Sequence, residues 1–156
     1  MANSMISWVK NWNGIIREVL FADEELKKLM LIPEGTNVLT FVKNYFIRAG
    51  YTNLTVRDEK VRIVYGDMRS EDIGAPNIRR QEMGFDIYVK EEYLHNAEAD
   101  RLLMRTHLIA NRIIELLTKE RYVHGYRFWM GGDPDMGTTV TGYARYHVSL
   151  FYMKVY

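Results

Sequence analysis

The chain has no cysteine. That absence removes disulfide frameworks, thiolate zinc sites, iron–sulfur clusters and cysteine nucleophiles together. It fits synthesis inside a cell without requiring it. Serine is also scarce: Ser4, Ser7, Ser70 and Ser149 are the whole set, and none stands in a G-x-S-x-G elbow. Spacing does not address a triad assembled by the fold from distant residues. A surplus of one charge is missing as well. Lysine and arginine number 21 against 20 aspartates and glutamates. The halves are equally even, with ten basic and ten acidic residues in 1–78 and eleven and ten in 79–156. A dedicated nucleic-acid binder carries a basic excess, so any DNA-facing surface here must be local. No apolar run approaches the roughly 18 residues of a membrane span, and Met1–Lys10 lacks the basic and apolar regions of a secretory signal. No membrane partner is expected.

What is present suits one folded domain over residues 1–156, with a helical segment at 1–35 and an α+β core at 36–156. Hydrophobic residues make up 47% of the chain, too many for disorder. Met5, Trp8, Val9, Trp12, Ile15, Ile16, Val19 and Leu20 recur at helical spacing, interrupted by Gly14. Asp23 is placed to cap a second, short helix ahead of Glu24 and Glu25, and Pro33-Glu34-Gly35 ends that segment. Over residues 37–48, Val38, Phe41, Val42, Tyr45 and Phe46 favour a helix stopping at Gly50, although the β-branched and aromatic content also allows a strand. From Val61 the period changes to two, which predicts a strand through Tyr65, a long polar loop over 66–79, and a second strand with Phe85, Ile87 and Val89 on one face. A long helix follows, with Asn96 as its N-cap and Ala99, Leu102, Leu103, Thr106, Ala110, Ile113, Ile114 and Leu117 as its buried stripe. Residues 122–130 predict a strand, the glycine- and aspartate-rich tract 131–137 a turn, and the alternation of Tyr146, Val148, Leu150 and Tyr152 a last strand. The order predicts an α+β fold: N-terminal helices, then a mainly antiparallel sheet built from two hairpins with one long helix packed on it.

Chemistry is harder to find. His95, His107, His124 and His147 have no metal-ligand spacing between them. Asp133 and Asp135 flank Pro134, but the tract lacks the remaining oxygen ligands of a calcium loop and reads as a solvated turn. Gly131-Gly132 is not followed by the Lys-Ser or Lys-Thr of a phosphate loop. Glu91-Glu92, Glu98 and Asp100 lie where a helix is about to start, and helix-dipole complementarity accounts for them. No cofactor and no catalytic residue is expected. Arg79 and Arg80, with Arg69 in the same predicted loop, form a basic cluster suited to phosphate, although Glu71, Asp72 and Glu82 beside them allow a plain solvated surface. Trp8 and Trp12 read as core residues, or as a surface that docks on a neighbouring subunit.

The order of segments over about residues 36–154 resembles the tail-terminator, or tail-completion, neck proteins of tailed bacteriophages. The likeness runs through Val61-Arg62-Ile63, Gly84-Phe85-Asp86-Ile87-Tyr88-Val89, Asp100-Arg101-Leu102 and Ile113-Ile114-Glu115-Leu116-Leu117. It continues through Val123-His124-Gly125-Tyr126-Arg127-Phe128 and Gly142-Tyr143-Ala144-Arg145-Tyr146-His147-Val148. The resemblance implies a virion structural protein forming a ring, typically a hexamer. Such a ring caps the tail tube, meets the head connector or stopper protein, and passes DNA through its lumen with non-specific contact. A ring closes heterologous contacts by rotation, and the expected interface or lumen residues are Arg69, Arg79, Arg80, Asp133 and Asp135. The alternatives are another phage neck role, in head completion or as a connector, and a non-phage dimeric ligand-binding α+β domain.

Overall fold

The computed structural model describes residues 12–48, 59–72, 79–95, 104–131, 135–137 and 142–154. Among the described residues the main elements follow one another as α1 (Ile15–Leu20), α2 (Glu24–Leu29), α3 (Val38–Thr40), β1 (Phe46–Arg48), β2 (Val61–Asp72), β3 (Arg79–Lys90), α4 (Arg105–Thr118), β4 (Tyr126–Met130), β5 (Asp135–Gly137) and β6 (Tyr143–Lys154). The strands form one sheet in the order β1-β2-β3-β6-β4, with β5 also paired to β6. Among the described strands the β1–β2 pairing is parallel and the others are antiparallel. The fold is therefore α+β with a mainly antiparallel sheet.

The helices bury the face of the sheet made by Ile63, Tyr65, Met83, Phe85, Ile87, Val148, Leu150 and Tyr152. Helix α1 is wound in wide, i→i+5 turns, closed by Phe21 N–H donating to Ile16 O at 2.8 Å. That winding brings Ile15, Ile16 and Leu20 to the buried side together. Trp12, one turn earlier, lies in the core against Tyr65, Phe85 and Phe128 at ring separations of 5.6, 6.5 and 6.3 Å. Trp8 lies outside the described residues. Asp23 caps α2 as its position predicts, its carboxylate accepting from Leu26 N–H at 2.8 Å. The ambiguous segment at 37–48 does both things. Asn37 caps α3, the helix widens through Phe41–Tyr45, and the chain then enters β1 beside β2.

Three expectations are corrected. The polar stretch at 66–79 is not one long loop: β2 continues to Asp72 and β3 begins at Arg79, leaving only 73–78 outside the described residues. A register shift between Asp67 and Arg69 is followed by Arg69 opposite Glu82, Glu71 opposite Arg80 and Asp72 opposite Arg79. The register thus sets residues of opposite charge at facing positions in a hairpin that has no apolar alternation to announce it. Helix α4 runs from Arg105, behind Met104, and the expected cap Asn96 with Ala99, Leu102 and Leu103 lies outside the described residues. From Thr106 onward the expected stripe holds at Ala110, Ile113 and Leu117, joined by Ile109. The strand predicted at 122–130 begins only at Tyr126. His124 and Gly125 both take positive φ (49° and 80°), forming a tight turn in which Val123 and Tyr126 exchange backbone hydrogen bonds of 2.8 and 2.9 Å. Within the tract predicted as a turn, Asp135–Gly137 pairs with β6 as β5.

Arg105 ties the layers together. A cation in the first turn of a helix opposes the helix dipole, yet this one is buried at 8% exposure. Its Nε donates to Tyr93 O at 2.8 Å and its Nη1 to Leu29 O at 2.9 Å, the carbonyl of the last residue of α2. Burial lowers its pKa from the usual arginine value. The guanidinium thus serves an acceptor that a helix end leaves without an intrahelical partner.

Candidate functional site

The side of the sheet away from the helices carries the polar chemistry. Along β2, β3 and β6, alternation sends Arg62, Glu82, Asp86, Tyr88, Arg145, His147 and Ser149 to this side while their neighbours enter the core. None of the seven belongs to the core cluster, although Arg62, Glu82 and Ser149 are buried at 4%, 4% and 3% exposure. The register stacks them in rows: Arg62 faces Tyr88, which faces Arg145, and Val64 faces Asp86, which faces His147.

Asp86 is the centre of this face. Its Oδ1 accepts from Arg145 Nε at 3.0 Å and lies 2.9 Å from Arg145 Nη2 and 2.8 Å from His147 Nδ1. Because the Asp86 carboxylate accepts, His147 Nδ1 is the donor of this pair. One row along, Ser149 Oγ donates to buried Glu82 Oε1 at 2.8 Å. Gly131 N–H donates to Ser149 O at 2.9 Å. The approach is so close that a Cβ on Gly131 would stand 2.6 Å from that carbonyl oxygen and closer still to Ser149 Oγ. Gly131→Ala must therefore push the chain off β6, and we expect a loss of about 1–3 kcal/mol, measured by urea unfolding.

At the far end of the same face the chemistry becomes aromatic. Trp129 of β4 faces Phe151 of β6, their ring centroids 6.0 Å apart. The Arg80 guanidinium lies over the Phe151 ring at 4.2 Å. Arg127 is two residues from Trp129 on β4 and exposed.

The residues singled out from the sequence divide between these regions. Arg69, Arg79 and Arg80 come together along the β2–β3 hairpin as strand residues opposite acidic partners, not as a loop cluster. Of the three, Arg80 joins the aromatic end through Phe151. Asp135 is not with them: it stands opposite His147 in β5. Asp133 lies outside the described residues. The Asp86–Arg145–His147 cluster went unmarked in the sequence because its members are 59 and 61 residues apart and only the strand register joins them. Among the described residues, no three His, Cys, Asp or Glu side chains group as a metal site. No helix among them is long and apolar enough to cross a membrane.

A scan of protein-family models matches none to this chain, and a search of curated proteins finds no match.

Proposed function

We propose that the protein is a structural component of a tailed-phage neck, a ring-forming tail terminator that caps the tail tube and joins it to the head connector. The observation that carries this reading is the chemical difference between the two sides of the sheet. One side is covered by helices with an ion-pair network on their surface; the other presents a wall of three twelve-residue strands bearing polar rows and an aromatic strip. Head-to-tail closure into a ring requires two unlike surfaces on each subunit. The β2–β3 hairpin, with Arg79 and Arg80 opposite Asp72 and Glu71, supplies a charge-alternating arm for such contacts. The segment order set out above supports the same assignment.

The test is native mass spectrometry of the purified chain, alone and with assembled tail tubes. A single closed oligomer, formed alone or on the tube end, is the expected result. A chain that stays monomeric at high concentration and leaves tube ends uncapped would overturn the proposal.

A further inference from the structure

The outer edge of β4 points to a contact that the neck reading does not require. β4 ends the strand order beyond β6, and no strand among the described residues lies against its other edge. In an antiparallel pair, residues bonded to the facing strand alternate with residues whose N–H and C=O point away from it. Gly131 N–H donates to Ser149 O. That bond puts Gly131, Trp129 and Arg127 in the set bonded to β6 and turns the backbone groups of Tyr126, Phe128 and Met130 outward. Those of Tyr126 are met by Val123, through hydrogen bonds of 2.8 and 2.9 Å. No described residue meets those of Phe128 and Met130.

Open strand edges are ordinarily blunted by proline or by charge, and Phe128-Trp129-Met130 has neither. Met130 is 50% exposed although it shares a side of the strand with buried Phe128, and Trp129 keeps partial exposure on the opposite side. The pattern of open groups fits a second copy of the same strand. Laid antiparallel about a two-fold axis at Trp129, it sets Phe128 opposite the other copy's Met130, and Met130 opposite its Phe128. In that register every outward N–H and C=O of Phe128 and Met130 finds its complement on both copies. Trp129 then faces its own counterpart in the closely spaced type of pair, which carries the Phe151–Trp129 row of rings across the axis. Arg127, the charged residue of β4, falls opposite Gly131 and not opposite another arginine. An axis at Phe128 instead would call on the groups of Tyr126, which Val123 already holds.

We propose that β4 pairs with β4 of a second copy, Trp129 on Trp129, in a two-fold dimer. This isologous contact differs from head-to-tail ring closure, and it stands whether or not the ring does.

The chain has no cysteine, so single cysteines report the register. Trp129→Cys places two thiols in the closely spaced pair, within disulfide reach. Arg127→Cys leaves them about 13 Å or more apart along the paired strands. Under mild oxidation, Trp129→Cys is expected to run as a covalent dimer on a non-reducing gel, and Arg127→Cys as a monomer. Sedimentation velocity of the parent chain over a concentration series should show reversible association. Met130→Pro removes an N–H that the β4–β6 pairing does not use, and the lost hydrogen bonds between copies should raise the dissociation constant about tenfold or more. Circular dichroism separates lost association from lost fold, and if one of these variants does not fold, the other decides. A parent chain that is monomeric throughout the series, equal crosslinking from both cysteine positions, or association indifferent to Met130→Pro would each overturn the proposal.

Discussion

Trp12→Ala is expected to cost about 3–5 kcal/mol, the range for emptying an aromatic site in a packed core. The side chain is 5% exposed and touches Tyr65 of β2, Phe85 of β3 and Phe128 of β4, so one residue ahead of α1 is wedged against three strands. Its removal opens a cavity that the rigid sheet cannot collapse into. Trp12→Phe separates packing from polarity. The indole Nε1 is buried with no hydrogen-bond acceptor among the described residues, and an unmet donor carries a desolvation cost of about 1–3 kcal/mol. Phenylalanine removes that donor while keeping a ring, so we expect it to recover most of the lost stability. Denaturant unfolding of the two variants against the parent checks the order. Equal destabilisation by both would mean that the indole's full size matters more than its stranded N–H.

Asp23→Ala is expected to cost about 2 kcal/mol, because one carboxylate does two jobs. It caps α2 through Leu26 N–H and receives Arg112 of α4 in a two-pronged contact, Nη2 to Oδ1 at 2.6 Å and Nε to Oδ2 at 2.9 Å. Loss of a cap is worth about 1 kcal/mol, and the charge-assisted pair about as much again. Arg112 also reaches Glu25 at 3.2 Å and Glu115 at 3.0 Å, so it keeps acidic neighbours in the variant, which limits the damage. Asp23→Asn retains a good cap and should lose only the second half. The pH dependence carries a sign. The Arg112 hydrogen bonds hold the Asp23 carboxyl below its usual value of 3.8. Its contribution is present above the unfolded pKa and is lost as pH falls through the lower folded value. The stability gap between parent and Asp23→Ala should therefore close on acidification below about pH 4, and urea titrations at several pH values measure it. A gap that widens in acid would contradict the assignment.

Local chemistry was the most legible part of the fold. Asp23 stands where a cap belongs, with two glutamates behind it, and it caps. The strand alternation at Val61–Tyr65, Phe85–Val89 and Tyr146–Tyr152 is visible because one side of the sheet is oily. The hairpin end was not legible for the opposite reason. Residues 69–72 and 79–82 carry no apolar alternation, and the facing of opposite charges appears only once the register is known. The start of α4 at Arg105 carries no cap by residue type, because the helix begins behind Met104 with a buried arginine. For the candidate site, Arg80 could be singled out from its basic neighbours. Its partner could not, because Phe151 looks like any aromatic in a strand until Trp129 is laid opposite it.

The strand order carries a consequence for how the chain is made. β6 sits between β3 and β4, although it is the last strand in the sequence, and its pairing with β3 reaches from Tyr152 back to Gln81. During synthesis the β2–β3 hairpin must wait with one edge bare, and β4 has no sheet to join, until residues 143–154 leave the ribosome. Contacts at such separation slow folding and lengthen the life of unpaired edges. The stretch of β3 left bare meanwhile, Gln81–Lys90, carries Glu82, Asp86 and Lys90, and charged residues along an open strand edge resist pairing with neighbouring chains on the polysome.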